Sequence, residues 1–107
     1  MHIIIVGLGK LGLTLTKQLV AEGHSITVVD TNNEKVTAAV DSYDVMGVWG
    51  SGAICETLEE AGAAKSKLII AATASDEMNI LTCLIATRMG VENTIARVRN
   101  PDYSSQT

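Results

Sequence analysis

Apolar positions along this chain fall into short continuous runs separated by longer stretches with helical spacing. Residues 2–6 are one such run, with Ile3, Ile4, Ile5 and Val6 in succession. A β-branched run of this kind marks a strand buried on both faces, the habit of a parallel sheet. Leu11, Leu15 and Leu19 then recur at intervals of one helical turn, and Gly23 stands where such a helix would stop. Residues 25–29 form a second strand that closes on Asp30. Thr31 and Glu34 have the spacing of a capping box and open a helix through Val40. A third strand covers 45–49, the loop Gly50-Ser51-Gly52 follows, and a short helix over 53–61 turns Leu58 inward and ends at Gly62. A fourth strand covers 67–72. The longest helix runs over 76–89 with Ile80, Leu81, Leu84 and Ile85 on one face and Gly90 as terminator. A fifth strand covers 94–98 and stops at Asn100-Pro101.

Strict alternation of strand and helix with short links predicts one α/β domain over residues 1–107. Its parallel sheet is doubly wound in the order 3-2-1-4-5, a Rossmann-like arrangement of three layers, α/β/α. A full doubly wound domain adds a further helix and a sixth strand, so the chain is expected to be truncated at its C-terminal end.

Composition narrows the classes. There is no Phe, and Trp49, Tyr43 and Tyr103 are the aromatic residues, so a 47% hydrophobic chain must fill its core with aliphatic side chains. A net charge of −4 and the lack of a basic stripe argue against a nucleic-acid partner. Met1-His2 runs straight into a strand pattern, unlike a signal peptide, and no apolar run reaches a membrane span of roughly 20 residues. Cys55 and Cys83 form no CxxC pair and read as small buried hydrophobes in a reducing compartment. No cluster has metal-ligand spacing, no residue sits as a nucleophile, and His2 and His24 read as strand-start and turn residues. Nothing marks a catalytic residue, and the chain is not expected to be an enzyme.

The chemistry lies in Gly7-Leu8-Gly9-Lys10-Leu11-Gly12, a GxGxxG loop that follows a buried strand and opens a helix. Gly7 permits the turn, Gly9 lets a pyrophosphate approach the backbone, and Gly12 packs the helix closely on the strand. The free amides and positive end of that helix would face the phosphates. Asp30, at the end of the second strand, fits the acid that accepts from a ribose diol; its other reading is a cap for the next helix. A carboxylate there repels a 2′-phosphate, and Thr31, Asn32 and Asn33 supply no arginine to attract one. NAD(H) is therefore expected, with ATP, ADP or AMP as alternatives and NADP(H) disfavoured. Lys10 reads either as a phosphate-side charge or as an exposed first-turn lysine. Thr73, Ala74, Ser75, Asp76, Glu77 and Asn79 follow the fourth strand, beside the glycine loop across the switch point. Thr73 and Asp76 read equally as ligand contacts or as N-capping residues, and Ser75 reads as a cap. Arg97, inside an apolar strand, needs an acid or a ligand phosphate as partner.

These residues resemble a known family. Ile3-Ile4-Ile5-Val6 with the glycine loop, then Val28-Val29-Asp30, resembles the N-terminal nucleotide-binding domain, of RCK, KTN or TrkA-N type, of Trk/Ktr potassium-uptake regulators. Gly50-Ser51-Gly52, Leu58 with Ala61-Gly62, the 72–79 segment and Ile95-Ala96-Arg97-Val98-Arg99 extend the likeness over nearly the whole chain. The resemblance implies a cytoplasmic regulatory subunit that binds NAD(H), ATP or ADP. It implies dimers assembled into a ring that gates a potassium channel or transporter at the inner face of the membrane. It places Lys10, Asp30 and Asn32 with the loop glycines around phosphate and ribose, Ser51 beside adenine and Thr73 near the phosphates. The full candidate set is Gly7, Leu8, Gly9, Lys10, Leu11, Gly12, Asp30, Thr31, Asn32, Gly50, Ser51, Ala72, Thr73, Asp76 and Arg97. The family commonly has Gly-Asp-Ala-Thr where this chain has Gly50-Ser51-Gly52-Ala53, a departure that bears on the adenine side. The cofactor half of an NAD-dependent oxidoreductase would use the same loop and acid, and a structural domain with an idle loop is a third reading.

Overall fold

The computed structural model describes residues 1–104. The elements are β1 (His2–Val6), α1 (Lys10–Ala21), β2 (Ser25–Asp30), α2 (Asn33–Ser42), β3 (Met46–Trp49), α3 (Cys55–Glu60), a 3-10 turn (Ala63–Lys65), β4 (Leu68–Ala71), α4 (Asp76–Arg88), β5 (Asn93–Ala96) and α5 (Pro101–Ser104). The five strands form one sheet in the order β3-β2-β1-β4-β5. Every pairing is parallel, with Ile5 of β1 level with Val28 of β2 and Ile70 of β4. The expected topology is therefore the one observed, with strand limits differing by a residue or two.

The central strand divides its side chains between two cores. Ile4 and Val6 pack with Val29, Val48, Leu58, Ile69 and Ala86 under α3 and α4. Ile3 and Ile5 pack with Leu8, Ile26, Val28, Val36 and Ala39 under α1 and α2. This is the alternation of a strand covered on both faces, and it yields the three layers.

Four details differ from expectation. On α1 the innermost positions are Gly12 and Thr16; Leu15 and Leu19 flank the core, and Leu11 is exposed. Small residues bring this helix close to the sheet, so the leucines sit to the side. On α4 the buried positions are Asn79, Thr82 and Ala86, whereas Leu81 and Leu84 are 43% and 58% exposed. The apolar stripe is thus split, with Leu81 and Leu84 outward and Ile85 packed against the core. Helix α2 is capped by Asn32, whose Oδ1 accepts from the amides of Glu34 and Lys35, rather than by a Thr31–Glu34 box. Cys55 is exposed at the start of α3 and Cys83 is half-buried, so Cys55 is no buried hydrophobe. No helix among the described residues is long and apolar enough to cross a membrane.

Candidate functional site

In a doubly wound sheet the loops diverge where the strand order reverses, at the carboxyl ends of the strands. Here that point lies between β1 and β4, and a cavity of about 550 Å³ opens there. Residues 7–10 form one wall. Asp30, Thr31 and Lys35 come from the β2–α2 side, and residues 50–52 from the β3–α3 loop. Residues 72–75, with Met78 and Thr82 of α4 and Arg97 beyond β5, complete it.

The glycine loop is shaped by two approaches of backbone to backbone. Gly7 has φ +102°, and a Cβ there would lie 2.8 Å from the Ala72 carbonyl carbon. A Cβ on Gly12 would lie 1.7 Å from the Gly7 oxygen, so only glycine lets α1 start where it does. Gly9 is different: a Cβ on it meets nothing within 4 Å. No side chain caps α1, and its first turn carries no acid. Its opening amides therefore lack the partners that Asn32 gives α2 and Ser75 gives α4.

Asp30 is held facing this loop. Its Oδ2 accepts from the Leu8 amide at 2.7 Å and its Oδ1 from the Asn32 amide at 2.8 Å. An ionised carboxylate has about four acceptor sites, so each oxygen keeps capacity for a ligand hydroxyl. Asp30 is the lone acid on the cavity wall, where Lys10, Lys35 and Arg97 supply positive charge. The ion pairs among the described residues, His24–Glu22 and Lys67–Glu92, involve none of these cations. The cavity is thus a positive spot on a chain of net charge −4.

The opposite wall is fastened from behind by Asn79, which is fully buried. Its Oδ1 accepts from the Thr73 amide at 2.9 Å and the Thr73 hydroxyl at 2.7 Å; its Nδ2 donates to the carbonyls of Thr73 and Arg97. The Thr73 hydroxyl also accepts from the Ser75 amide, so it is occupied within the protein although Thr73 lines the cavity. On the β3 side, Ser51 Oγ accepts from the Ala53 amide, which leaves its hydroxyl proton available.

Of the residues singled out in the sequence, Gly7, Leu8, Gly9, Lys10, Asp30, Thr31, Gly50, Ser51, Ala72, Thr73 and Arg97 line the cavity. Leu11, Gly12, Asn32 and Asp76 do not. Gly12 packs against Gly7, Asn32 caps α2, and Asp76 accepts from the amides of Arg99 and Asn100. Arg97 lies just past β5 and is half-exposed, so it is no charge buried within a strand. Lys35, Gly52, Ala74, Ser75, Met78 and Thr82 line the cavity without having been singled out as ligand contacts. Helical spacing from Ser75 through Met78 to Thr82 was the available signal for the last two. A Cβ on Gly52 would come within 2.6 Å of Val6 Cγ1, so that loop also needs glycine to close over β1.

These features define a Rossmann-type domain with an anion-ready cavity at its switch point. The chain belongs to the TrkA-N domain family, which it matches over residues 3–106. A Trk system potassium uptake protein TrkA homolog from Methanothermobacter thermautotrophicus is 35% identical over 103 residues, covering 96% of this chain and 48% of that protein. The chain therefore spans about half the length of that relative. The GsuK channel bound to NAD superposes with a TM-score of 0.82 at 27% identity, covering 98% of this chain and 19% of that one. The AMP-bound Kef C-terminal domain of Shewanella denitrificans gives 0.85 at 21% identity, covering 99% and 64%, a likeness of fold.

Two glycines of the loop, Gly12 behind the cavity wall and Gly9 on it, should behave in opposite ways. Gly12→Ala forces the start of α1 off the sheet and should cost about 2 kcal/mol or more in urea unfolding, as overpacked sites do. Gly9→Ala should leave stability within about 0.5 kcal/mol while weakening ligand binding. Equal loss of stability in both would show that Gly9 serves the fold.

The carboxyls at the start of α4 supply a pH prediction. The amides of Arg99 and Asn100 hold Asp76 below its ordinary value of 3.8. Hydrogen bonding from Tyr103 likewise lowers Glu77 and raises the Tyr103 hydroxyl above 10.0. A lowered acid stabilises the fold above its unfolded value and loses that effect as pH falls through its folded value. The raised phenol contributes below 10.0 and loses its effect as pH rises through its folded value. Carboxyl NMR should therefore place the Asp76 midpoint below 3.8. A midpoint at or above that value would mean the Asp76 contacts do not persist in solution.

Proposed function

We propose that this domain is a regulatory nucleotide sensor of a potassium-uptake system: an adenine nucleotide, NAD(H) foremost, occupies the cavity and biases the state of a membrane potassium transporter or channel. The observation that carries the reading is the pairing of two features. The first turn of α1 presents amides that no side chain caps, and Asp30 is oriented toward the same loop by the Leu8 and Asn32 amides. Amides at a helix start suit phosphate, and a fixed carboxylate suits a ribose diol. Lys10, Lys35 and Arg97 add charge for a polyanion. The GsuK channel is bound to NAD and the Kef C-terminal domain to AMP, and each contains a region of this fold, which supports the ligand class. The regulatory role draws on kinship with TrkA proteins, as do a cytoplasmic location and a place in a larger assembly.

In that assembly the domain would meet a second copy of itself. Met78, Leu81 and Leu84 present exposed apolar side chains along α4. Scattered surface leucines are ordinary, but a stripe along one helix suits burial between subunits. Leu84→Glu should shift the chain toward the monomer in sedimentation velocity without lowering its melting temperature. A wild-type chain that sediments as a monomer at high concentration would remove self-association through this face.

The preference among nucleotides is set at Asp30 and its neighbour Lys35. The carboxylate opposes a 2′-phosphate, while Lys35 is a nearby cation outside the local pattern from which the preference was read. Denaturing the purified chain and identifying released nucleotide by mass spectrometry should yield NAD(H) or an adenine mononucleotide. Calorimetry should show NADH binding tighter than NADPH, and Asp30→Ala should weaken NADH by about tenfold or more, the loss of hydrogen bonds to a charged group. Tighter NADPH binding would reverse the preference, and no binding of any adenine nucleotide would end the reading.

A further inference from the structure

The segment leaving β5 is held by residues that form, or lie directly behind, the far wall of the cavity. Arg97 lines the cavity, and its carbonyl accepts from Asn79 Nδ2 at 2.9 Å. Arg99 Nη2 donates to the carbonyl of Ala74, another wall residue, at 2.6 Å. The Asp76 carboxylate accepts from the Arg99 amide at 3.1 Å on one oxygen and from the Asn100 amide at 2.8 Å on the other. Farther out, the Tyr103 hydroxyl donates to Glu77 Oε2 at 2.6 Å. Asp76, Glu77, Arg99 and Tyr103 do not line the cavity.

We propose that Asp76 is a positioning residue through which nucleotide binding is coupled to the docking of residues 97–103 against the start of α4. The inference rests on the cavity being a nucleotide site, and it adds how that site would report its state. Residues 73–75 face the cavity on one side. On the other they are held by Asn79 and Arg99, both tied to the outgoing segment. A ligand that orders this wall removes part of the ordering cost of docking, and the docked segment does the same for the ligand. Such coupling is reciprocal: whatever factor the ligand adds to docking, docking adds to ligand affinity. The outer contacts, at Asp76 and Glu77, lie at the surface, where local opening costs least, and a ligand can move the balance. The Asp76 carboxylate accepts from two amides of the segment itself, one on each oxygen, so it fastens the segment at two points.

Amide exchange and calorimetry on the whole chain test this, with NADH and ADP as the probes and Asp76→Asn and Tyr103→Phe as variants. In the wild type, ligand should slow exchange at Arg99 and Asn100 by about fivefold or more, the low end of ordinary coupling. Asp76→Asn should abolish that ligand-dependent protection and weaken affinity by a comparable factor. Tyr103→Phe, remote from the cavity wall, should weaken affinity in the same direction by less. A purely structural Asp76 would lower the melting temperature while leaving the dissociation constant unchanged in the folded variants. Unchanged affinity in both variants, or identical exchange with and without bound ligand, would overturn the coupling and leave nucleotide binding standing. Failure of the wild type to bind either probe would overturn the coupling together with the ligand assignment for those nucleotides.

Discussion

The start of α1 touches the turn after β1 through backbone alone, and the cavity is built outward from that contact. With a Cβ on Gly12 placed 1.7 Å from the Gly7 carbonyl oxygen, any side chain would lever the helix away from the sheet. Because the helix stays close, its first amides open into the notch between β1 and β4, and the Leu8 amide reaches Asp30. Gly7 is bound to the same geometry by its positive φ and by the Ala72 backbone at its shoulder. Gly9 answers to neither constraint, since the space above it is empty. Two glycines of one short loop are thus required by the fold for separate physical reasons, and on the proposed reading the third serves a ligand.

Electrostatics then separates this helix start from the others. Asn32 quiets the first turn of α2, and Ser75 with Asp76 and Glu77 quiets that of α4. The start of α1 has neither a cap nor an acid. A helix end carries about half a unit of charge, and a partly buried anion there gains up to roughly 2 kcal/mol. Lys10, Lys35 and Arg97 deepen the positive potential, while Asp30 stands at one side, bound by backbone amides. A phosphate in the centre with a sugar hydroxyl at Asp30 satisfies this distribution. A uniformly anionic ligand pressed on Asp30 would not.

The sheet order, the glycine turn and the place of Asp30 were legible because each depends on backbone rules that act over a few residues. Strand–helix alternation and the five-residue run of β1 leave few other topologies. The face of α4 was not legible, because its periodicity suggested burial of Leu81 and Leu84. Instead Asn79 faces inward, where the loop after β4 and the end of β5 offer backbone groups that a leucine could not satisfy. The cap of α2 was uncertain by one residue, since Thr31 and Asn32 can both serve. Lys35 was not marked in the sequence, because its place on the cavity wall follows only from the turn of α2. The partners of Asp76 lie more than twenty residues away in sequence, at Arg99 and Asn100, and no local pattern announces them.

The cavity wall offers little for bond-breaking chemistry. Its titratable residues are Asp30, whose two oxygens are already held by backbone amides, and the cations Lys10, Lys35 and Arg97. On the proposed reading, what the site delivers is binding free energy. Such energy does regulatory work only to the extent that the ligand prefers one arrangement of the chain over another. The wall is drawn from the loops that follow separate strands, so one ligand touches several elements at once, including the residues that hold the segment beyond β5. A preference of about 1–3 kcal/mol between arrangements corresponds to a shift of about fivefold to 150-fold. Such a shift is within reach of a domain whose sheet fixes the glycine loop while the opposite wall shares its contacts with the segment beyond β5.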